Sequence, residues 1–441
     1  MQRMKWTRPI TLWTLVLMMV SVLSACGQSS EDTASGDSAA SPAGQVELSF
    51  MTTWSETDPF TGVYYKNAMA FQEANPDIKL KIETTPYNDY PVKLKTAAAA
   101  GQLTDLILMI SGGSTLEPIA RSGVLMPIDD MMGNWPEDFL PKAKIADYNI
   151  DGKQYAIPGE ISYSTMIYYN KKILSDAGYT EFPTDYEGFK KLIGDLKAAN
   201  ITPIAIGNKT GSILAASLLS PLNERISGPD VYTKLAAGEM KFTDPEFVEA
   251  LTDVKELYDM GAFNTDLNNI DNVQATDLFL SGKTAMYLDG SWGAKQISKD
   301  KAADFEAGFA LFPAIAGGKG SISAVPGGTN QGVVLNAKLD GAKKAAAEKF
   351  LKFMYSKESY QNVIKDGNMV PANVETPSDV DPLFSEMMKV SSSVTRLYPV
   401  FDAAMPATVS TAAKNGLQGL TSPGAADPKS LAAELDKELN Q

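Results

Sequence analysis

Apolar side chains at Val46, Leu48 and Phe50 alternate with Glu47 and Ser49, a period of two that predicts a strand ending at Trp54. Ala68 and Phe71 mark a helical stretch that stops at Asn75-Pro76, where the proline disfavours further helix. Ile78, Leu80 and Ile82 alternate again, and a helix through Leu94 and the following alanines ends at Gly101. Leu106 to Ile110 is continuously apolar, as expected of a strand buried on both faces. Strand, helix, strand, helix, strand predicts an α/β lobe built on a largely parallel sheet.

The same rules operate further on. Thr184 with Glu187 reads as a capping box for a helix whose inner face carries Phe189, Leu192, Ile193 and Leu196. Asp244-Pro245 opens another helix, with Phe247, Leu251, Val254 and Tyr258 on one side and Gly261 closing it. Ala346, Phe350, Phe353 and Met354 predict a third amphipathic helix. These stripes are core faces. No internal repeat and no second membrane segment is evident.

The start of the chain follows a different logic. Arg3, Lys5 and Arg8 precede a mostly apolar run, Ile10 to Leu23, that ends in Leu23-Ser24-Ala25-Cys26-Gly27. A basic start, a short apolar stretch and small residues before a cut are the parts of a secretory signal. The run is shorter than the roughly 20 residues a spanning helix needs. Leu-Ser-Ala directly before the sole cysteine resembles the bacterial lipobox, which implies a signal peptide over 1–25 and a diacylated Cys26 at the new amino terminus. Residues 28–44 (QSSEDTASGDSAASPAG) hold no aromatic and no large aliphatic side chain, so 26–45 is expected to be a flexible leash.

Composition narrows the chemistry. The chain has 441 residues, 44% hydrophobic and 21% charged, enough for a sizeable core. Its net charge is −14, and losing the three leader cations leaves −17, which repels nucleic acid. There is no histidine, which removes the commonest general base and most zinc sites, and the single cysteine forbids an intrachain disulfide. No cofactor or metal is expected, and nothing points to an oligomer, so a monomer is expected. Carboxylates, lysines and tyrosines remain available for acid–base work.

In an open α/β sheet a solute binds beyond the carboxyl ends of the strands. A sugar there needs aromatic plates for its C–H face and polar groups for its hydroxyls. Five segments at strand ends qualify. They are Trp54-Ser55-Glu56-Thr57-Asp58, Ser111-Gly112-Gly113-Ser114, Gly159 to Tyr163, Met286 to Trp292, and Val325-Pro326-Gly327-Gly328-Thr329-Asn330. Each has an ordinary structural reading beside it: Trp54 as a packed loop residue with solvent-facing acids, the other segments as strand ends and turns. Ser111 to Ser114 lacks the lysine of a phosphate-cradling loop.

Taken in order, these segments resemble the extracellular solute-binding proteins of ABC importers, in the family that includes the maltose- and oligosaccharide-binding proteins. The similarity is carried by Phe71-Gln-Glu-Ala-Asn-Pro-Asp and by Lys95 to Asp105 running into Leu106 to Ser111. It continues through Tyr155-Ala-Ile-Pro-Gly, Tyr169-Asn170-Lys171, Phe279 to Met286 with Gly290-Ser291-Trp292, and Gly327-Gly328. The resemblance implies two α/β lobes with the ligand in the cleft between them. Lobe 1 would comprise 46–160 plus 330–368 and lobe 2 would comprise 164–326 plus 373–441. The crossovers would lie near 160–163, 326–329 and 368–373. It also implies ligand contacts at Trp54, Glu56, Asp58, Ser111, Gly112, Tyr163, Asn208, Asp289, Trp292, Gly327, Gly328 and Asp402. The implied partners are a small carbohydrate, the membrane permease and, through Cys26, the membrane itself. Where oligosaccharide binders often carry an aromatic or an acid after the buried strand, this chain has Met109 and Gly112, so the sugar's identity is not implied. Two alternatives stay open: a lipid-anchored glycosidase using Glu56 and Asp289 as its carboxylate pair, and a receptor for a peptide or polyamine.

Overall fold

The computed structural model describes residues 45–440, apart from Pro59, Asn88, 112–114, Ser392 and 425–426. Cys26 and Gly112 therefore lie outside the described residues. Two main sheets organise the chain. In the first, Val46–Thr52 lies between Ile78–Thr84 and Leu106–Ser111, parallel to both. The long strand Ala324–Asn336 runs antiparallel to Leu106–Ser111, and Arg396–Tyr398 closes the row. Glu160–Tyr163 also pairs with the long strand, placing Tyr163 opposite Gly327 and Ser162 opposite Gly328. The second sheet orders Ala307–Ala310, Met166–Asn170, Thr284–Asp289 and Thr202–Ala205, with only the last pair parallel.

Periodicity explains these elements. Leu48 and Phe50 are fully buried, and Leu106 to Met109 is buried without a break, as a strand covered on both faces requires. Gly101 takes a left-handed φ of +66° just past the helix Tyr90–Ala99. Tyr186–Ala198 buries Phe189, Leu192, Ile193 and Leu196, but its cap is Asp185 rather than Thr184. The Asp185 carboxylate accepts from the Gly188 N–H at 2.8 Å, which moves the helix start one residue later. Pro245–Asp259 buries Phe247, Ala250, Leu251, Val254 and Leu257, with Tyr258 only partly buried, and Asp244 turns its carboxylate to the Lys241 N–H instead of the helix.

Two apolar clusters result. One joins Phe50, Leu108, Val333 and Phe350, and extends to Tyr168 and Tyr287 on one face of the second sheet. The other gathers Ile167, Met286 and Leu288 from the opposite face with Phe189, Leu251 and Leu417. The long strand contributes Ala324 to the second cluster and Val333 to the first, so it passes from one body of the molecule to the other. Among the described residues no helix is long and apolar enough to cross a membrane.

Candidate ligand cleft

A cavity of about 1030 Å³ opens beyond the carboxyl ends of the first sheet's parallel strands. The loop after Val46–Thr52 contributes Thr53, Ser55, Asp58 and Phe60, and the loop after Ile78–Thr84 contributes Thr85, Pro86 and Tyr87. Glu160 and Ser162 come from the crossing strand, Asn330 and Gln331 from the long strand, and Asn368 and Met369 from a later segment. Facing them are Ser291 and Trp292, from the turn that follows Thr284–Asp289. That volume is ample for a small ligand.

Trp292 reaches this place because its turn is pinned. The Ser291 N–H donates to the Tyr163 carbonyl at 2.8 Å, and the Tyr163 N–H donates back to Ser291 Oγ at 3.2 Å. Behind the indole lies Asp289, almost wholly buried. Its Oδ1 accepts from Trp292 Nε1 at 3.0 Å and from Asn272 at 3.0 Å, while Oδ2 accepts from the Tyr287 hydroxyl at 2.5 Å. Loss of hydration raises its proton affinity more than those donors lower it, and its pKa is pushed up to about 6.

Other residues singled out from the sequence are placed differently. Trp54 is 1% exposed, stacks on Tyr64 and donates Nε1–H to Gln331 Oε1 at 2.7 Å, so its indole is part of the core and offers no plate to a ligand. Glu56 is exposed and does not line the cavity. Asp58 does line it, with Oδ1 accepting from Phe60 N–H, Thr61 N–H and Thr61 Oγ1 at 2.9, 2.7 and 3.0 Å. Ser111 ends its strand opposite Asn330. Tyr163 is buried and acts through Ser291. Asn208 is fully buried and serves its own loop, bonding Leu214 N–H at 3.1 Å and Asn268 at 2.7 Å. Asp402 pairs with Lys414 at 2.9 Å, away from the lining. A Cβ on Gly327 would sit 2.2 Å from the Ser162 carbonyl oxygen, so this crossing admits only glycine without a shift. Gly328 pairs with Ser162 beside it.

The structure adds residues that the sequence reading passed over. Phe60 and Tyr87 line the cavity and are 52% and 61% exposed, so their ring faces are open. Tyr87 follows a strand end, and the rule that selected Trp54 applies equally to it. Glu160 lies within a segment already noted; its Oε2 accepts from the Tyr64 hydroxyl at 2.7 Å. Phe60, Tyr87 and Trp292 therefore supply aromatic surface, and hydroxyl, amide and carboxylate groups surround them. Neither Glu56 nor Asp289 lines the cavity, so the carboxylate pair that a glycosidase would need there is not assembled from them. Among the described residues no group of histidine, cysteine or acidic side chains could hold a metal.

Residues 53–361 match the family described as bacterial extracellular solute-binding protein. The multiple sugar-binding protein of Streptococcus mutans is 25% identical over 362 residues, 81% of each chain. The diacetylchitobiose binding protein DasA of Streptomyces coelicolor is 27% identical over 369 residues, 81% of this chain and 80% of that one. A solved chitin oligosaccharide binding protein superposes with a TM-score of 0.77 at 27% identity, covering 90% of this chain and 98% of that chain.

Proposed function

Since the chain belongs to the bacterial extracellular solute-binding protein family, we propose that it captures a carbohydrate outside the cell and delivers it to the permease of an ABC importer. The observation that carries this reading is the set of open aromatic faces, Phe60 and Tyr87 opposite Trp292, around a polar cavity. Sugars stack their C–H faces on such rings while hydroxyls exchange hydrogen bonds with the rim. Relatives named for binding multiple sugars, diacetylchitobiose and chitin oligosaccharides support the same class.

In this reading the chain is two lobes, 46–160 plus 330–368 and 164–326 plus 373–441, which sample open and closed arrangements about crossovers near 160–163, 326–329 and 368–373. A sugar bridging both sides of the cleft shifts the population toward closure, because it gains contacts only there. The closed monomer then docks on the permease. No bond in the sugar is broken.

A thermal-shift screen across neutral oligosaccharides, peptides and polyamines tests the reading. One saccharide class should stabilise the protein by about 2.7 kcal/mol at a hundred times its Kd, with no product formed. Stabilisation by peptides or amines alone, or conversion of the sugar into fragments, would overturn it.

The same reading places the protein on the outer face of the cell membrane, held by acyl chains on Cys26 and a leash to residue 45. Each buried CH₂ of such a chain contributes roughly 0.8 kcal/mol, and two chains suffice for stable anchoring. Labelled palmitate should be incorporated by the wild-type chain and not by Cys26→Ser. Equal labelling of both, or none of the wild type, would remove the anchor.

A further inference from the structure

The carbohydrate reading, on which this inference rests, leaves the charge of the sugar open, and the lining of the cleft bears on it. Among the described lining residues there are two carboxylates, Asp58 and Glu160, and no lysine or arginine. Residues 112–114 read Gly-Gly-Ser, and neither they nor Pro59 and Asn88 carry an ionisable side chain.

The two carboxylates are not equivalent. One oxygen of Asp58 is taken up by three donors of its own loop. Glu160 stands where the crossing strand meets the long strand, opposite Asn330. Its oxygens accept from the Tyr64 hydroxyl at 2.7 Å and, more weakly, from Ser162 Oγ at 3.4 Å. A carboxylate offers about four acceptor positions, so capacity is left for a guest. Burial raises its proton affinity, with the Tyr64 and Ser162 hydroxyls, the Lys295 charge and the Asn330 amide opposing less strongly. The nearby cation is Lys295, which pairs with Asp366 at 2.5 Å, lies outside the lining and only partly offsets the Glu160 charge. Asp289 adds a second buried carboxylate behind Trp292.

We infer that the cleft selects saccharides by charge, taking neutral or ammonium-bearing sugars and rejecting uronates and other acidic sugars, with Glu160 setting that preference. Hydroxyl and ammonium groups donate to Glu160, whereas a carboxylate brought beside it finds no lysine or arginine in the lining and meets a like charge in a poorly hydrated place. The net charge of −14 acts in the same direction at longer range.

Calorimetry on the purified protein would start with neutral chito-, galacto-, xylo- and malto-oligosaccharides. The tightest binder would then be compared with its C6-oxidised uronate. The uronate should bind at least tenfold more weakly, by a margin that shrinks as salt rises, and Glu160→Gln should narrow that margin severalfold. A role for Glu160 in folding alone would weaken both sugars equally. A uronate that binds as well as its neutral parent, or a margin unmoved by both salt and Glu160→Gln, would overturn charge selection and leave the carbohydrate reading standing. If Glu160→Gln does not fold, the salt dependence of the wild type decides alone. Failure of every saccharide to bind would overturn the carbohydrate reading and this inference with it.

Discussion

Trp54 and Trp292 each commit the indole N–H to a partner, Gln331 for the first and Asp289 for the second. The difference lies in the ring. Trp54 is packed between Phe50 and Tyr64 and is inaccessible, whereas Trp292 turns part of its surface to the cleft. Truncation should therefore separate stability from affinity. Trp292→Ala should weaken sugar binding tenfold or more, about 1.4 kcal/mol, in calorimetry. Trp54→Phe should leave the Gln331 side-chain oxygen Oε1 without its indole donor and cost about 1–3 kcal/mol in denaturant unfolding. Unchanged affinity in Trp292→Ala would remove it from the site. Both residues were legible as strand-end tryptophans, but which one faces the ligand was not, because burial of Trp54 depends on how Phe50, Tyr64 and the distant Gln331 pack around it.

The strand Thr284–Asp289 is buried at every position, and it ends on an ionisable group. Asp289 has its pKa raised from 3.8 to about 6, chiefly by loss of hydration. The folded chain therefore holds this proton more tightly than the unfolded chain. The contribution of Asp289 to stability falls as pH rises from about 4 to about 6, and above that range the full cost of burying the charge, about 3 kcal/mol, is present. Asp253, pushed up to about 7 by burial and then by Glu256 and Glu249, titrates in the same direction. The informative quantity is thus the difference between wild type and Asp289→Asn. The wild type should lose stability relative to the variant across that window, and parallel curves would show that Asp289 does not titrate there. Periodicity revealed the helices Tyr186–Ala198 and Pro245–Asp259. It did not reveal that Pro326-Gly327-Gly328 lies inside a thirteen-residue strand. Proline and paired glycines read locally as a turn, yet here they permit a close crossing beside Ser162.

At the scale of the whole molecule, the long strand passes between two apolar clusters while the cleft draws on loops of both sheets. Each element's burial pattern depends on its own residues, so strand and helix order, the acidic balance and the missing histidines were determined by the sequence alone. Which strand-end side chains face the cavity was decided only by the tertiary structure. Trp54 is drawn inward by Gln331, 277 positions away, while Phe60 and Tyr87 stay outside the core with their rings open. Local periodicity records how an element hides its apolar face. A binding surface is made of what several such elements, packed together, leave uncovered.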